Sequence, residues 1–128
     1  MIKFLLVTPN REPFSEFASA LGKHAEVELS WAESGQIALK MLGDFPVDLV
    51  VLDEELGDMT GIEFMKKLLS VNPMINCAAV SPLPHEEFHE LTEGLGVLAQ
   101  LPSRPGVQKA EDLLTRLNDL KKLLKPSS

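Results

Sequence analysis

The sequence predicts an α/β fold in which one parallel sheet is wrapped by helices on both faces. Three observations lead to it. Strand-like apolar runs and helix-spaced apolar stripes alternate five times along the 128 residues. The run "IKFLLV" is continuous rather than alternating, as in a strand covered on both sides. The joints between units are short, which favours a helical crossover after each strand.

Residues 2–7, "IKFLLV", form the first predicted strand, and Phe14, Phe17, Ala18 and Leu21 then recur at helical spacing. "AEVELSWA" (25–32) alternates loosely, which suits a strand near the sheet edge, with Trp31 as a packing residue at its end. Ala38, Met41, Leu42 and Phe45 mark the face of a second helix, closed by Gly43 and Pro46. "VDLVVL" (47–52) is the third strand. The helix after it carries Ile62, Met65, Leu68 and Leu69 and stops at "NP" (72–73). "INCAAV" (75–80) is the fourth strand, followed by a short helix, "PHEEFHELTEG" (84–94), with Phe88 and Leu91 facing inward. "GVLAQL" (96–101) is the fifth strand. The last helix runs from Val107 to Leu124 with Ala110, Leu113, Leu117, Leu120 and Leu124 at 3-4 spacing. Residues 1–124 are read as one domain and "KPSS", 125–128, as a tail.

Composition sets the outer limits. One domain of this length buries a real core, and 45% apolar with 24% charged residues is ordinary for a globular chain. The net charge of -7, from 19 acids against 12 bases, argues against a nucleic-acid surface. The start, "MIKFLLVTPNREPF", is too short for a signal core and far too short to span a bilayer, so a cytoplasmic protein is expected. The single cysteine, Cys77, lies in an apolar run and reads as a small buried hydrophobe.

Ligands of open parallel sheets bind outside the carboxyl ends of the strands, where strand order reverses. That rule selects "TPN" (8–10), "AES" (32–34), "DEE" (53–55), "SP" (81–82) and "LP" (101–102). Among them only Asp53, its neighbouring acids and Ser81 have obvious chemical ability. "TGIE" (60–63) has the form of a capping box, with Thr60 as N-cap and Glu63 reaching back. "VTPNREP" holds no glycine, which excludes a phosphate-cradling first loop. "HEEFH" (85–89) is a literal H-E-x-x-H, placing His85 and His89 on one helical face beside Glu86, with Glu111 at a plausible distance for a third ligand. A zinc hydrolase is the distant alternative it raises, but the helix is short and opens with Pro84, and a chain of this size can hardly provide the substrate cleft; adventitious metal binding by the two histidines is the more credible use.

The block "VDLVVLDEELGDMTGIEFMKKL" resembles the centre of the receiver domain of two-component response regulators, where an apolar strand ends at a phospho-accepting Asp. The likeness extends from "FLLV" through "AESGQIALKML", "VSP" and "GLGVLAQLP". It implies a flavodoxin-like (βα)5 doubly wound sheet with strand order 2-1-3-4-5. It implies phosphoryl transfer from a histidine kinase or small phosphodonor to the carboxylate, helped by Mg²⁺, a Lys and a switching hydroxyl. By this resemblance Asp53 matches the phospho-acceptor and Ser81 the hydroxyl. The backbone carbonyl of Glu55 matches the main-chain metal ligand. Pro102 matches a proline that is often cis in the family.

The chain also departs from the pattern. Thr8 and Pro9 stand where the acid pair should follow strand 1, Leu101 stands at the Lys position, and Leu98 at the aromatic position. Each missing charge at about 4 Å forfeits about 4 kcal/mol at an effective dielectric near 20. Asn10, Glu12 and Arg104 are the available substitutes, none favoured by spacing, and Glu54, Glu55 and Asp58 add negative charge against an incoming anion. The expectation is therefore an atypical receiver-like module, not an enzyme, with a weak or absent Mg²⁺ site and an Asp53 that is poorly phosphorylated. It would act by protein–protein interaction with a histidine kinase or other signalling protein. An output domain or a second copy would dock through helix 4, strand 5 and helix 5. A conventional phospho-switch at Asp53 is the alternative. No nucleic acid or membrane partner is expected.

Overall fold

A computed structural model describes residues 1–124; the tail at 125–128 and the side chain of Leu124 lie outside the described residues. Five parallel strands form one sheet in the order β2-β1-β3-β4-β5. They are β1 Ile2–Val7, β2 Val27–Ala32, β3 Leu49–Leu52, β4 Asn76–Val80 and β5 Val97–Leu101. The helices are α1 Ser15–Gly22, entered through a tight turn at Glu12–Phe14, α2 Gly35–Asp44, α3 Gly61–Val71, α4 His85–Thr92 and α5 Val107–Leu124. This is the flavodoxin-like arrangement, with β2 at one edge as its loose alternation suggests.

Alternate strand residues feed two cores. Phe4 and Leu6 of β1, Leu49 and Val51 of β3, and Ala78 and Val80 of β4 pack under α1 and α5, against Phe14, Phe17, Leu113 and Leu117. Leu5, Val7, Val50, Leu52, Cys77 and Ala79 face the other way, against Ala38, Phe64, Met65, Leu68 and Phe88 of α2, α3 and α4. Continuous apolar runs are thus required, because both faces of β1, β3 and β4 are covered. Asp48, the acid inside the third run, lies immediately before β3. Its carboxylate accepts the Lys3 backbone N–H at 2.8 Å and pairs with the Lys121 ammonium at 3.1 Å, tying α5 to the sheet.

Several inward assignments are corrected. Phe45 is 62% exposed, because the residue before Pro46 must leave the helix and adopts an extended backbone. Leu91 is 53% exposed, and Phe88 and Thr92 bury that face of α4 instead. On α3 the buried stripe is Gly61, Phe64, Met65 and Leu68, leaving Ile62 half-buried and Leu69 outward. On α5, Ala110, Leu113, Leu114 and Leu117 are buried, Leu120 is half-buried and Leu123 exposed. No peptide bond among the described residues is cis, so the bond before Pro102 is trans. No described helix is long and apolar enough to cross a membrane.

Candidate functional site

Parallel register brings the strand ends together. Val7 pairs with Leu52 and Leu52 with Ala79, so Thr8 and Asp53 leave adjacent strands side by side, and Val80 pairs with Leu101. The ladder continues one bond past each strand: Thr8 N–H to the Ala32 carbonyl at 3.0 Å, Asp53 N–H to Val7 at 3.0 Å, and Ser81 N–H to Leu101 at 3.1 Å.

Asp53 is half-buried and both its carboxylate oxygens are engaged. Oδ2 accepts the Thr8 hydroxyl at 2.7 Å, and Oδ1 accepts the Glu54 N–H at 2.8 Å. Thr8 is only 1% exposed. Its Oγ1 also accepts the Asn10 N–H at 3.1 Å and lies 2.9 Å from the Asn10 carbonyl, which holds the first loop in a tight turn beside the carboxylate. The next turn is fixed as closely. Leu56 N–H bonds the Met59 carbonyl at 2.8 Å across Gly57, whose φ of 91° requires glycine. Gly61 N–H bonds the Glu54 carbonyl at 3.0 Å, and a Cβ at Gly61 would lie 2.6 Å from the Asp53 carbonyl oxygen. The capping box is present, with Glu63 N–H to Thr60 Oγ1 at 3.1 Å and Thr60 N–H to Glu63 Oε1 at 3.3 Å.

The suggested substitute residues are occupied elsewhere. Glu12 and Arg104 form a two-point ion pair, Nη1–Oε1 at 3.0 Å and Nη2–Oε2 at 2.8 Å, joining the loops after β1 and β5. The bond to Arg104 holds the Glu12 carboxyl below its ordinary range and raises the guanidinium in return. Asn10 turns its Oδ1 back to the Glu12 N–H at 3.3 Å. Arg11 covers the Trp31 ring at 4.9 Å, giving that aromatic its partner. Asp58 also turns away, accepting the N–H groups of Gly35 at 2.8 Å and Gln36 at 2.9 Å at the start of α2. Those bonds, Gln36 first, lower its carboxyl below the usual value. Asp58 thus contributes stability above the ordinary carboxylate range, lost as pH falls through its lowered value.

Ser81 is half-buried and its Oγ accepts the Leu83 N–H at 3.2 Å, the turn role open to a Ser before "PLP". Sequence reasoning missed Gln100. Its side-chain amide donates to the Ser81 carbonyl at 3.0 Å and the Leu83 carbonyl at 2.7 Å, fastening the β4–α4 loop to β5. The only signal for it was a polar residue inside an otherwise apolar strand. Leu101 is 2% exposed and belongs to the core under α1 and α5, with Leu98 packed beside it.

Glu111 is not a third ligand for the "HEEFH" pair. Its carboxylate lies 2.7 Å from His24 Nε2, across the α1–α5 side of the sheet, and that bond raises the imidazole above its ordinary value. Among the described residues no three His, Cys, Asp or Glu side chains converge on one point. Cys77 is buried, and burial pushes its thiol up to about 12. An open groove runs over β5 between α4 and α5, with His85 and His89 on one wall and Lys109 and Arg116 on the other.

The model of the response regulator receiver domain matches residues 5–102. The chain belongs to the response regulator receiver family. Solved receivers share its fold. The chemotaxis response regulator CheY4 of Vibrio cholerae is 21% identical, with a TM-score of 0.79, covering 91% of this chain and 98% of that one. A receiver domain protein from Methanospirillum hungatei is 18% identical, with a TM-score of 0.81 over 96% of this chain and 98% of that one. A structure described as a redox sensor of the streptococci, evolved from two-component response regulators, is 18% identical with a TM-score of 0.78. It is covered over 57% of its length by 100% of this chain. No curated protein is similar enough in sequence to count as a relative. Receivers are two-component signalling modules that interact with histidine kinases and output domains, and Asp53 of this receiver stands at the end of its β3.

Proposed function

We propose that this receiver works as an atypical two-component module, a cytoplasmic docking unit whose output does not depend on phosphorylation of Asp53. The observation that carries the reading is the 2.7 Å bond from the buried Thr8 hydroxyl to Asp53 Oδ2. A hydroxyl donor in that place competes with a cation for one of the two carboxylate oxygens. The remaining Mg²⁺ donors, the Glu55 carbonyl and Asp53 itself, supply one charge where hard divalent ions favour several oxygen ligands. The residues present therefore do not fit a strong Mg²⁺ site.

Two further features support the same reading. The Lys position is Leu101, buried in the core, and the Glu12–Arg104 pair leaves no substitute base aimed at Asp53. Gln100 holds the Ser81–Leu83 turn by two bonds, so the segment that a switching hydroxyl would move is already anchored. The surface left for partners is the groove of α4, β5 and α5, fit for a kinase, an output domain or a second copy. A conventional phospho-switch is the second reading, favoured by Asp53 and Ser81 following β3 and β4 at the same carboxyl end of the sheet.

The test is an amide-resolved NMR titration with Mg²⁺ and then beryllofluoride, a mimic of the phosphoryl group. The proposal expects no saturable shifts at Asp53, Ser81 or the groove. Saturable shifts at Asp53 that spread to Ser81 would establish the phospho-switch instead.

A further inference from the structure

We propose that His85 and His89 together hold a divalent transition-metal ion, Cu²⁺, Ni²⁺ or Zn²⁺, as a two-imidazole chelate on the exposed face of α4. The two residues stand one turn apart on this helix, where i and i+4 side chains meet. Their rings face each other at 6.3 Å between centroids with planes 21° apart. One Zn²⁺ bound at about 2.1 Å to each imidazole with a tetrahedral angle puts the centroids about 5 Å apart. Small rotations of two exposed side chains close that difference. Neither ring enters an ion pair among the described residues, unlike His24, which is held by Glu111.

The charge around the pair suits a cation. α4 carries Glu86, Glu87 and Glu90 and no Lys or Arg. Glu93 and Asp112 line the groove with the histidines, balancing Lys109 and Arg116 across it. Imidazole selects against Mg²⁺ and Ca²⁺, which favour oxygen, and the order of divalent affinities favours Cu²⁺. No third ligating side chain converges among the described residues, so the ion keeps water in its other positions. The pair is thus a binding site rather than a hydrolytic centre, and it is independent of the fate of Asp53.

Isothermal titration of the untagged protein with each ion tests this, using His85→Gln, His89→Gln and His24→Gln. The expected result is one ion per chain, tightest for Cu²⁺ and undisturbed by Mg²⁺. Each of the first two variants should weaken binding roughly 100-fold, the scale of a lost second attachment point, and His24→Gln should not. No uptake, uptake that survives in both variants, or halved stoichiometry at unchanged affinity would overturn the chelate. Both histidines are exposed, so the substitutions leave the core intact, and circular dichroism on the same samples checks the fold.

Discussion

At the mouth of the sheet, a single hydroxyl donates to the carboxylate on which a receiver's chemistry would depend. Thr8 and Asp53 are brought side by side by strand register, and the bond between them restricts what else Asp53 can hold. Asp58, which in sequence merely adds negative charge, proves to be a cap for α2, 22 and 23 residues away from the N–H groups it accepts. That role was invisible in the sequence because it depends on how the β3–α3 turn folds back. Asp53 and Ser81 were legible, because a strand end in a parallel sheet is set by where its apolar run stops. Glu12 and Arg104 were legible as charged residues near the site, but not as each other's partners. Gly61 is the tightest backbone contact here. Gly61→Ala would press a methyl group onto the Asp53 carbonyl oxygen, and an expected loss of about 1–3 kcal/mol is readable from urea unfolding.

At the level of elements, strands were easier to read than helix faces. β1, β3 and β4 are buried on both sides, so their continuous runs admit no other placement. On α3 and α4, Met65, Leu68 and Phe88 are buried as expected but Leu69 and Leu91 are not, because a short amphipathic helix offers several overlapping sets of i, i+3 and i+4 neighbours. Phe64 joins the buried stripe while Ile62 packs half-buried against it, and Thr92 is buried where Leu91 is exposed. β5 gained a function that apolar patterning does not encode, since Gln100 fastens the β4–α4 loop. Gln100→Ala should release that loop, with faster hydrogen exchange at the amide of Leu83 and little change in α1. Unchanged exchange there would mean that the Ser81–Leu83 turn holds itself.

Across the whole molecule, α1 and α5 lie on one face of the sheet and are linked by His24 and Glu111. The bond to Glu111 raises the His24 imidazole, with Glu26 adding a smaller attraction. A raised value means that this contribution is complete below the ordinary histidine range and is lost as pH rises through the raised value. Thermal unfolding should therefore show stability declining on that alkaline side, and His24→Gln should flatten the decline. The groove over β5, between α4 and α5, is the surface we propose for partners. β5 is half-buried from Val97 to Gln100, as the other edge strand β2 largely is, whereas β1, β3 and β4 are covered.

We propose that Asp53 of this receiver does not accept a phosphoryl group. Intact-mass spectrometry after incubation with acetyl phosphate and Mg²⁺, alongside Asp53→Asn, tests it most directly. No added phosphoryl group on the folded protein is the predicted result. A gain of one phosphoryl group that disappears in Asp53→Asn would contradict it, and would show that Thr8, Pro9 and Leu101 do not disable the site.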